Sequence, residues 1–195
     1  MVDNNIAGRL ALITGASSGI GAACAKDFAG RGVHLALTYS KNKESMEKIL
    51  SDIKALNSEA VKLRISIHKV DVGNVDEIKN MFTEIQAQHQ THVDILVSNA
   101  GYGKRIVDVC IERGIDGDDE ELSGKAPLNI SVNDVAPALI GETGMISGPD
   151  IIPGGTSTIP MKRLGSPQEV ANVVTMLATT GFMTGQSLLI AGGLK

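Results

Sequence analysis

Residues 10–21 read Leu-Ala-Leu-Ile-Thr-Gly-Ala-Ser-Ser-Gly-Ile-Gly, an apolar run that changes abruptly into a glycine-rich turn. The apolar run is typical of a buried strand, and we expect a helix to begin at about Ile20. Gly15, Gly19 and Gly21 allow the backbone to turn tightly and to approach a ligand without an intervening Cβ atom. The stretch therefore predicts a strand followed directly by a helix whose free N–H groups and positive dipole end face an anion.

A pyrophosphate suits this turn, as in dinucleotide-binding folds. Helical spacing of apolar residues continues from Ala22 to Phe28, and Gly30 and Gly32 follow as helix terminators. A P-loop is excluded because no Gly-Lys-Ser/Thr follows the glycines. Since a tight strand-to-helix connection also uses glycine without any ligand, the rest of the chain has to decide between the two interpretations.

The composition is that of one domain covering residues 1–195. Hydrophobic residues make up 43% and charged residues 21% of the chain, which is ordinary for an α/β protein. A net charge of −4 without a basic block gives no reason to expect a nucleic-acid or membrane partner. Cys24 and Cys110 lack metal-ligand spacing, and a reducing compartment is the simpler expectation. Because residues 1–8 are polar and no apolar run approaches ~20 residues, we expect no signal peptide, no membrane span and a cytoplasmic location.

Strands alternate with helices after the glycine-rich turn. The expected strands are Val33–Tyr39, part of residues 60–70, and Val93–Ser98, and the expected helices are Ser45–Leu56 and residues 74–88. In the second helix, helical spacing directs four apolar residues inward: Ile78, Met81, Phe82 and Ile85. This alternation predicts an α/β fold with a Rossmann-like, doubly wound parallel sheet.

Three stretches carry a resemblance to a known family. Thr14–Gly21, Asp71-Val72 and Asn99–Gly101 look like the cofactor signatures of the short-chain dehydrogenase/reductase family, in the family's order and spacing. The C-terminal part is similar at Ile130–Asn133 running into Ala136-Pro137, at Arg163–Ala171 and at Met183–Gly193. The resemblance is nearest to 3-oxoacyl-thioester (acyl-carrier-protein) reductases. It implies a nicotinamide-dependent carbonyl or alcohol oxidoreductase.

The resemblance implies a set of cofactor-binding residues. They are Gly15, Ser17, Ser18, Gly19, Ile20, Gly21, Tyr39, Ser40, Lys41, Asp71, Val72, Asn99, Ala100, Gly101, Pro137, Ile140 and Thr143. Asn99–Gly101 would lie under the adenine and its ribose, or would form a plain Asn-Gly turn. Asp71 would meet the adenine edge, or would cap a nearby helix. Thr14 would brace the glycine turn, and Ile140 and Thr143 would contact the nicotinamide carboxamide.

The end of the second strand decides between NAD and NADP. An acid about 20 residues beyond the glycines would hold the ribose 2′-hydroxyl of NAD, and Thr38-Tyr39-Ser40-Lys41 contains none. Ser40, with Lys41 or Lys43, can hydrogen-bond and neutralise a 2′-phosphate, so NADP(H) is favoured over NAD(H). The alternative is that both lysines only solvate the next helix.

The family's catalytic segment has no counterpart in this sequence. In the family, a Ser and a Tyr-x-x-x-Lys helix carry the proton transfer, and the i, i+4 spacing puts Tyr and Lys on one helix face. No Tyr follows Tyr102, and residues 102–127 number 26, whereas two helices and a strand need on the order of 50. We therefore expect one central strand and two helices to be missing, residues 105–127 to be atypical, and no catalytic residue to be intact.

No other Tyr and Lys residues of this sequence are well placed to replace the family's catalytic pair. Tyr39 and Lys43 have the i, i+4 spacing but lie at the adenosine end, so we interpret the match as coincidence. Tyr102 and Lys104 are wrongly spaced, and Tyr102 is expected to be a loop residue, a substitute acid being the alternative. The acidic run at residues 116–121 is interpreted as a solvated loop or poor helix rather than a metal site. The four histidines are scattered without ligand spacing.

The C-terminal part contains a helix start and a strand that has lost its neighbour. Ser166–Glu169 predicts a capping box with Pro at the first helical position. Four residues of that helix are expected in the core: Val170, Val173, Val174 and Leu177. The strand expected at residues 129–135 either pairs with Val93–Ser98 directly, or both present open edges. Because the family's homo-oligomer interface uses the missing helices, we expect it to be disrupted and the protein to be marginally stable and prone to aggregation.

Three hypotheses are compatible with the sequence. The first is an NADP-dependent reductase of the short-chain family that is catalytically impaired. The second is a non-catalytic nucleotide- or partner-binding remnant, such as a splice or gene-model variant. The third is a misassembled sequence of a full-length reductase. The substrate cannot be read from this sequence, because the residues that shape its pocket fall largely in the missing part and in residues 140–161.

Overall fold

The computed structural model describes residues 5–56, 63–101, 130–146 and 154–194. Its N-terminal part contains β1 (Leu10–Ile13), α1 (Gly19–Gly30), β2 (His34–Tyr39), α2 (Lys43–Leu56), β3 (Ile65–Lys69), α3 (Val75–His89) and β4 (Ile95–Val97). Its C-terminal part contains β5 (Asp134–Pro137), a short 3-10 helix (Gly155–Thr158), α4 (Pro167–Thr179) and β6 (Ser187–Ile190). The predicted alternation of strands and helices is confirmed.

The four N-terminal strands form one parallel sheet in the order β3-β2-β1-β4. Strands β1 and β2 are central and read as almost continuous apolar runs, because both of their faces are covered. Leu10 pairs with His34 and Ile13 with Leu37, and β2 continues two residues further. Because the two strands are parallel, the chain leaves both at the same edge of the sheet. That shared edge is where a ligand site of a Rossmann-like sheet is expected.

The sheet has a separate apolar core on each face. On one face, β1 and β2 pack with α1 and α2 around Phe28, Met46 and Ile53, all fully buried. On the other face, Leu10 and Leu12 pack with Met81 and Ile85 of α3. Helices therefore cover both faces, as predicted for a doubly wound sheet.

The expectation that Phe82 faces the core is wrong. Its side chain is 44% exposed, whereas Met81, one position earlier, is 4% exposed. Successive residues of a helix point about 100° apart, so a helix that packs through Met81 and Ile85 turns Phe82 toward solvent.

Strands β4 and β5 do not pair with each other in the described part of the chain. There β4 pairs only with β1, and β5 pairs only with β6 in a separate two-stranded parallel sheet. The sequence left two alternatives: the two strands pair directly, or both present an open edge. Within the described residues, both present an open edge. Strand β4 is also shorter than the predicted Val93–Ser98.

The predicted strand at residues 129–135 is displaced along the chain. The observed strand is Asp134–Pro137, so Pro137 ends the strand instead of lying in the following loop. The preceding residues are held by the turn after α4: Val132 N donates to Thr184 Oγ1 at 3.1 Å, and Asn133 Nδ2 donates to Met183 O at 2.9 Å. The bond from Val132 N occupies a backbone group that a continuous strand would offer to a neighbouring strand.

Helix α4 joins the C-terminal part to the N-terminal part by packing against α1. The predicted capping box is confirmed: Ser166 Oγ accepts from Glu169 N, and the Glu169 carboxylate accepts from Ser166 N at 2.8 Å. A bidentate hydrogen bond from Arg163 lowers the pKa of Glu169 to about 2.

The predicted inward face of α4 is only partly correct. Val170 is buried, but Val173, Val174 and Leu177 are only half-buried. Thr175 is 3% exposed instead, because its hydroxyl donates to the Asp27 carboxylate of α1. A polar residue therefore occupies a core position through an interhelical hydrogen bond that apolar periodicity does not reveal.

Within the described ranges, no helix is both long and apolar enough to cross a bilayer, and no group of three or more side chains could ligate a metal ion. Cys24 is buried in α1, and burial raises the pKa of its thiol to about 12, so the thiolate form is strongly disfavoured. Cys110 and the acidic run at residues 116–121 lie outside the described residues.

Candidate functional site

A large cleft opens at the carboxyl ends of β1, β2 and β4. Its volume is about 2520 Å³, above the roughly 300–1,000 Å³ of an ordinary ligand pocket. The cleft is this large because it continues from the glycine turn along the open edge of β4 to residues 130–138. All the predicted cofactor residues except Gly21 line it.

Two glycines of the turn are required by geometry. Gly15 has φ +65°, which side-chain-bearing residues rarely adopt. A Cβ atom on Gly21 would lie 2.5 Å from Gly15 O and 2.6 Å from Asn99 Nδ2. Gly21 therefore lets the first turn of α1 approach both the preceding turn and the end of β4, and its absence from the cleft wall reflects this packing role.

Thr14 holds the end of β4 against the glycine turn. Its hydroxyl oxygen accepts from the backbone N–H groups of Asn99 and Ala100, both at 2.9 Å. The Asn99 amide returns a bond to Thr14 O at 2.9 Å. The prediction that Thr14 braces the turn is confirmed, and Asn99 is more than a residue of a plain turn because its side chain ties two strand ends together.

Thr38 fixes the other side of the turn and was not identified from the sequence. Gly15 N donates to Thr38 Oγ1 at 3.2 Å, and Ala16 N donates to Thr38 O at 2.8 Å. The residue is 1% exposed. The only signal in the sequence was a hydroxyl next to the last position of a buried apolar strand, which does not indicate its partner.

The first turn of α1 presents unbonded backbone groups to the cleft. Ser18 is the N-cap residue in extended conformation, and its side chain makes no capping bond. The first N–H groups of a helix have no partner within the helix. Ser17, Ser18 and Ile20 line the cleft at this point, so the arrangement suits an anion such as a phosphate.

The end of β2 brings Tyr39, Ser40 and Lys41 to the cleft. Ser40 and Lys41 are exposed, and within the described residues Lys41 has no ion-pair partner. Lys43 is different, because it is the first residue of α2 and lies 3.5 Å from the Glu47 carboxylate one turn later. The alternative of a solvating role thus describes Lys43. Of the two lysines, only Lys41 lines the cleft.

Asp71 and Val72 lie in the connection from β3 to α3 and line the cleft. The suggestion that Asp71 caps a helix is wrong, because Asn74 is the N-cap of α3 and accepts from Asp76 N and Glu77 N. The Asp71 carboxylate instead accepts from Gly73 N at 2.9 Å in a local turn. Its second oxygen has no partner among the described residues and remains available to a ligand.

The residues after β5 reach the glycine turn from the opposite side. A Cβ atom on Gly19 would lie 3.3 Å from the Thr143 methyl group, so these two predicted residues adjoin each other. Ile140 is 4% exposed and packs on Gly165, so that its side chain belongs mainly to the core. Pro137 is exposed at the end of β5 and lines the cleft.

No Tyr and Lys pair suited to proton transfer is found among the described residues. Tyr39 ends β2, and Lys43 is paired with Glu47, in agreement with the interpretation of their spacing as coincidence. Tyr102, Lys104 and the atypical segment at residues 105–127 lie outside the described residues.

Comparison with known families identifies the class of protein. A family profile described as "short chain dehydrogenase" matches residues 9–116, more than half of the chain. A second profile, described as "Enoyl-(Acyl carrier protein) reductase", matches residues 124–195. The chain belongs to the short-chain dehydrogenase/reductase family.

Individual relatives agree with this assignment. The chain is 27% identical over 245 aligned positions to the 3-oxoacyl-[acyl-carrier-protein] reductase FabG of Staphylococcus epidermidis, covering 94% of this chain and 98% of the relative. Among solved structures, the fold is similar to a short-chain dehydrogenase/reductase from Serratia marcescens (22% identity, TM-score 0.79, 97% and 98% of the two chains). It is also similar to L-sorbose reductase from Gluconobacter frateurii, solved with NADPH and L-sorbose (21% identity, TM-score 0.78, 98% of each chain).

The alignment with the FabG reductase is longer than this chain. It extends over 245 positions, whereas the chain has 195 residues. Gaps in this chain are therefore needed to cover nearly the whole relative.

Proposed function

We propose that this chain binds NADP(H) in the cleft at the glycine turn. The supporting observation is the braced arrangement of that turn: Thr14 and Thr38 fix it from both sides, and the start of α1 faces the cleft without a side-chain cap. The pyrophosphate would lie at Ser17–Ile20 on the helix N-terminus. The adenosine would lie between Asp71-Val72 and Asn99–Gly101.

The remaining predicted residues complete the cofactor site. Tyr39 and Ser40 would contact the adenosine ribose, and the Lys41 ammonium group would neutralise a 2′-phosphate. The nicotinamide end would extend toward Pro137, Ile140 and Thr143. Because no acid stands at the end of β2, NADP(H) is preferred over NAD(H) in this proposal.

The proposed activity is that of an impaired reductase of the 3-oxoacyl-thioester type. The resemblance to the FabG reductase supports the substrate class, and the lack of any Tyr after Tyr102 supports the impairment. Loss of a positioned proton donor typically lowers the rate by about 10² to 10⁴. The cytoplasm remains the proposed compartment, and the family's homo-oligomer interface is proposed to be disrupted.

A non-catalytic nucleotide- or partner-binding remnant is the second candidate. The gaps required by the FabG alignment favour it, since they are compatible with a skipped internal segment. Translation of the surrounding gene separates the possibilities. A Ser and a Tyr-x-x-x-Lys segment encoded between Lys104 and Asn129 would identify this chain as a shortened product of a full-length reductase.

The experiment that tests the proposed function is a pair of equilibrium titrations of the purified chain with NADPH and NADH, followed by cofactor fluorescence. We expect saturable binding of both with a lower dissociation constant for NADPH, because the 2′-phosphate adds a charged contact with Lys41. Equal affinities, or tighter binding of NADH, would overturn the assignment of Ser40 and Lys41. Absence of binding to either cofactor would overturn the proposed function itself.

A further inference from the structure

A chain of hydrogen-bonded polar side chains connects β3 with α3, away from the cleft. It is buried except at Glu84, whose side chain is 59% exposed. It consists of four side chains, named here the histidine network: Glu84, His68, Ser66 and His89. His68 Nδ1 lies 2.9 Å from Glu84 Oε2, and the Nε2 atoms of His68 and His89 each lie 2.8 Å from Ser66 Oγ. Both histidines are 2% exposed and Ser66 is 6% exposed.

With both imidazoles neutral, the hydrogen bonds of the network have one direction. The Glu84 carboxylate only accepts, so His68 carries its hydrogen on Nδ1 and has a bare Nε2. The Ser66 hydroxyl then donates to His68 Nε2 and accepts from His89 Nε2–H. This assignment follows from the donor and acceptor inventory and leaves His89 Nδ1 as a bare lone pair.

His89 Nδ1 is the end of the chain and has no hydrogen-bond partner among the described residues, although it is buried. A proton there would create a buried N–H without an acceptor and a buried positive charge. The groups facing the ring do not compensate for that charge. Arg64 donates to His89 O at 2.7 Å, and His34 Nδ1 accepts from Arg64 N at 3.1 Å. The one carboxylate of the network, Glu84, is bonded to His68.

We propose that the histidine network is an acid-sensitive latch that fixes the C-terminal end of α3 on β3. At neutral pH every hydrogen of the network has an acceptor. Protonation of His89 adds an N–H group at Nδ1 that has no acceptor among the described residues. The ring then leaves its buried position, and the end of α3 separates from the outer strand of the sheet. The latch is independent of nucleotide binding, since none of its side chains lines the cleft.

The direction of the pH effect follows from linkage. Burial, and then the charges of Arg64, His34 and His68, lower the pKa of His89 below its ordinary value of 6.5. The unfolded chain therefore binds the proton more readily than the folded chain. The stability contribution of a neutral His89 is present above the ordinary pKa and is lost as the pH falls below it.

The test is denaturant unfolding of the full chain between about pH 7.5 and about pH 5.5. For one histidine that stays neutral when folded, the unfolding equilibrium constant rises about tenfold over this interval. His89→Gln keeps an amide donor for Ser66 but cannot titrate, so this tenfold part is expected to disappear. His92→Gln is the control outside the network: the His92 side chain is 84% exposed, and its Nε2 lies 3.1 Å from the Asp94 carboxylate. Burial and Arg64 also lower the pKa of His34. His34 is present in all three proteins, so its contribution to the pH dependence of stability is the same in each.

Equal pH dependence in the wild-type chain and in His89→Gln would overturn the latch. If that variant does not fold, nitrogen NMR of the wild-type histidine rings provides the test. At neutral pH we expect His89 to be protonated on Nε2 and bare on Nδ1, and acidification to accelerate amide exchange at the end of α3 before that of β1. A hydrogen on His89 Nδ1, or uniform acceleration in both elements, would contradict the proposal.

Discussion

Strands β1 and β2 differ from β4 and β6, which belong to two separate sheets, in how completely they are paired and covered. Strands β1 and β2 have a neighbour on each side, and Leu10, Ile13 and Leu35 are fully buried. Apolar strand residues are much less buried in the other two strands: Leu96 of β4 is 59% exposed and Leu189 of β6 is 66% exposed. The residues that position the glycine turn belong to the well-packed part, whereas the proposed loss of the family's catalytic segment falls beyond β4.

This difference is the basis for our proposal that nucleotide binding and catalysis depend on separate parts of the fold. The contacts around the turn come from Thr14, Thr38 and Asn99, which stand at the ends of β1, β2 and β4. None of these contacts uses the open edge of β4. We therefore expect the shape of the turn not to depend on what lies beside that edge, and four substitutions test this separation.

The largest effect is expected from Gly21→Val. Its side chain would collide with Gly15 O and displace the turn. Overpacking typically costs about 1–3 kcal/mol, which corresponds to an affinity loss of about 5- to 150-fold. NADPH titration measures it. Gly30→Ala is the control on the same helix, because a Cβ atom there meets no atom within 4 Å. Equal affinities of the two variants would break the link between turn geometry and binding.

A smaller effect is expected from Lys41→Gln. Removing the Lys41 ammonium group should weaken NADPH binding about tenfold, which is the lower end for a hydrogen bond to a charged group, and leave NADH binding unchanged. Lys43→Gln serves as the control, since Lys43 is paired with Glu47. If Lys43→Gln had the larger effect, the assignment of the two lysines would have to be reversed.

Thr38→Val should lower NADPH affinity by a few fold. The substitution leaves Gly15 N without its acceptor, and a neutral hydrogen bond contributes about 0.5–1.5 kcal/mol. Thr38→Ser retains the hydroxyl and should bind as the wild-type chain does. A loss of melting temperature without a loss of affinity would show that Thr38 stabilises the sheet but does not position the turn.

The smallest effect is expected at the open edge. Leu96→Lys should reduce self-association and the binding of a hydrophobic dye, because a charge on an exposed strand edge opposes pairing with another chain. Leu56→Lys is the control, since Leu56 is 62% exposed at the end of α2. Light scattering and dye fluorescence measure both variants, and a wild-type chain that stays monodisperse and binds no dye would contradict the expected aggregation.

Local signals predicted the paired part of the molecule well. The apolar run ending in Gly15 located β1 and α1, and Ser166–Glu169 located the start of α4, because these features depend on neighbouring residues. The predicted cofactor-binding residues are far apart in the sequence, and only the family resemblance assigned them to one site. All of them except Gly21 line one cleft.

Features that depend on distant partners could not be predicted. Thr175 is buried through Asp27, which lies 148 positions earlier in the chain. His68 and His89 looked like ordinary scattered residues, because the hydroxyl that joins them belongs to Ser66 on another element. Strand β5 was misplaced because the turn at residues 183–184, far along the chain, holds the residues that precede it.

The central claim is an assembled cofactor site without the proton donor of the family. It is tested most directly by following NADPH fluorescence in one sample while first NADPH and then an acetoacetyl thioester is added. We predict a saturable change on cofactor addition and no appreciable NADPH consumption on thioester addition. Absence of a saturable change would contradict the assembled site. Steady NADPH oxidation that disappears in Tyr102→Phe would contradict the missing proton donor and identify Tyr102 as the acid.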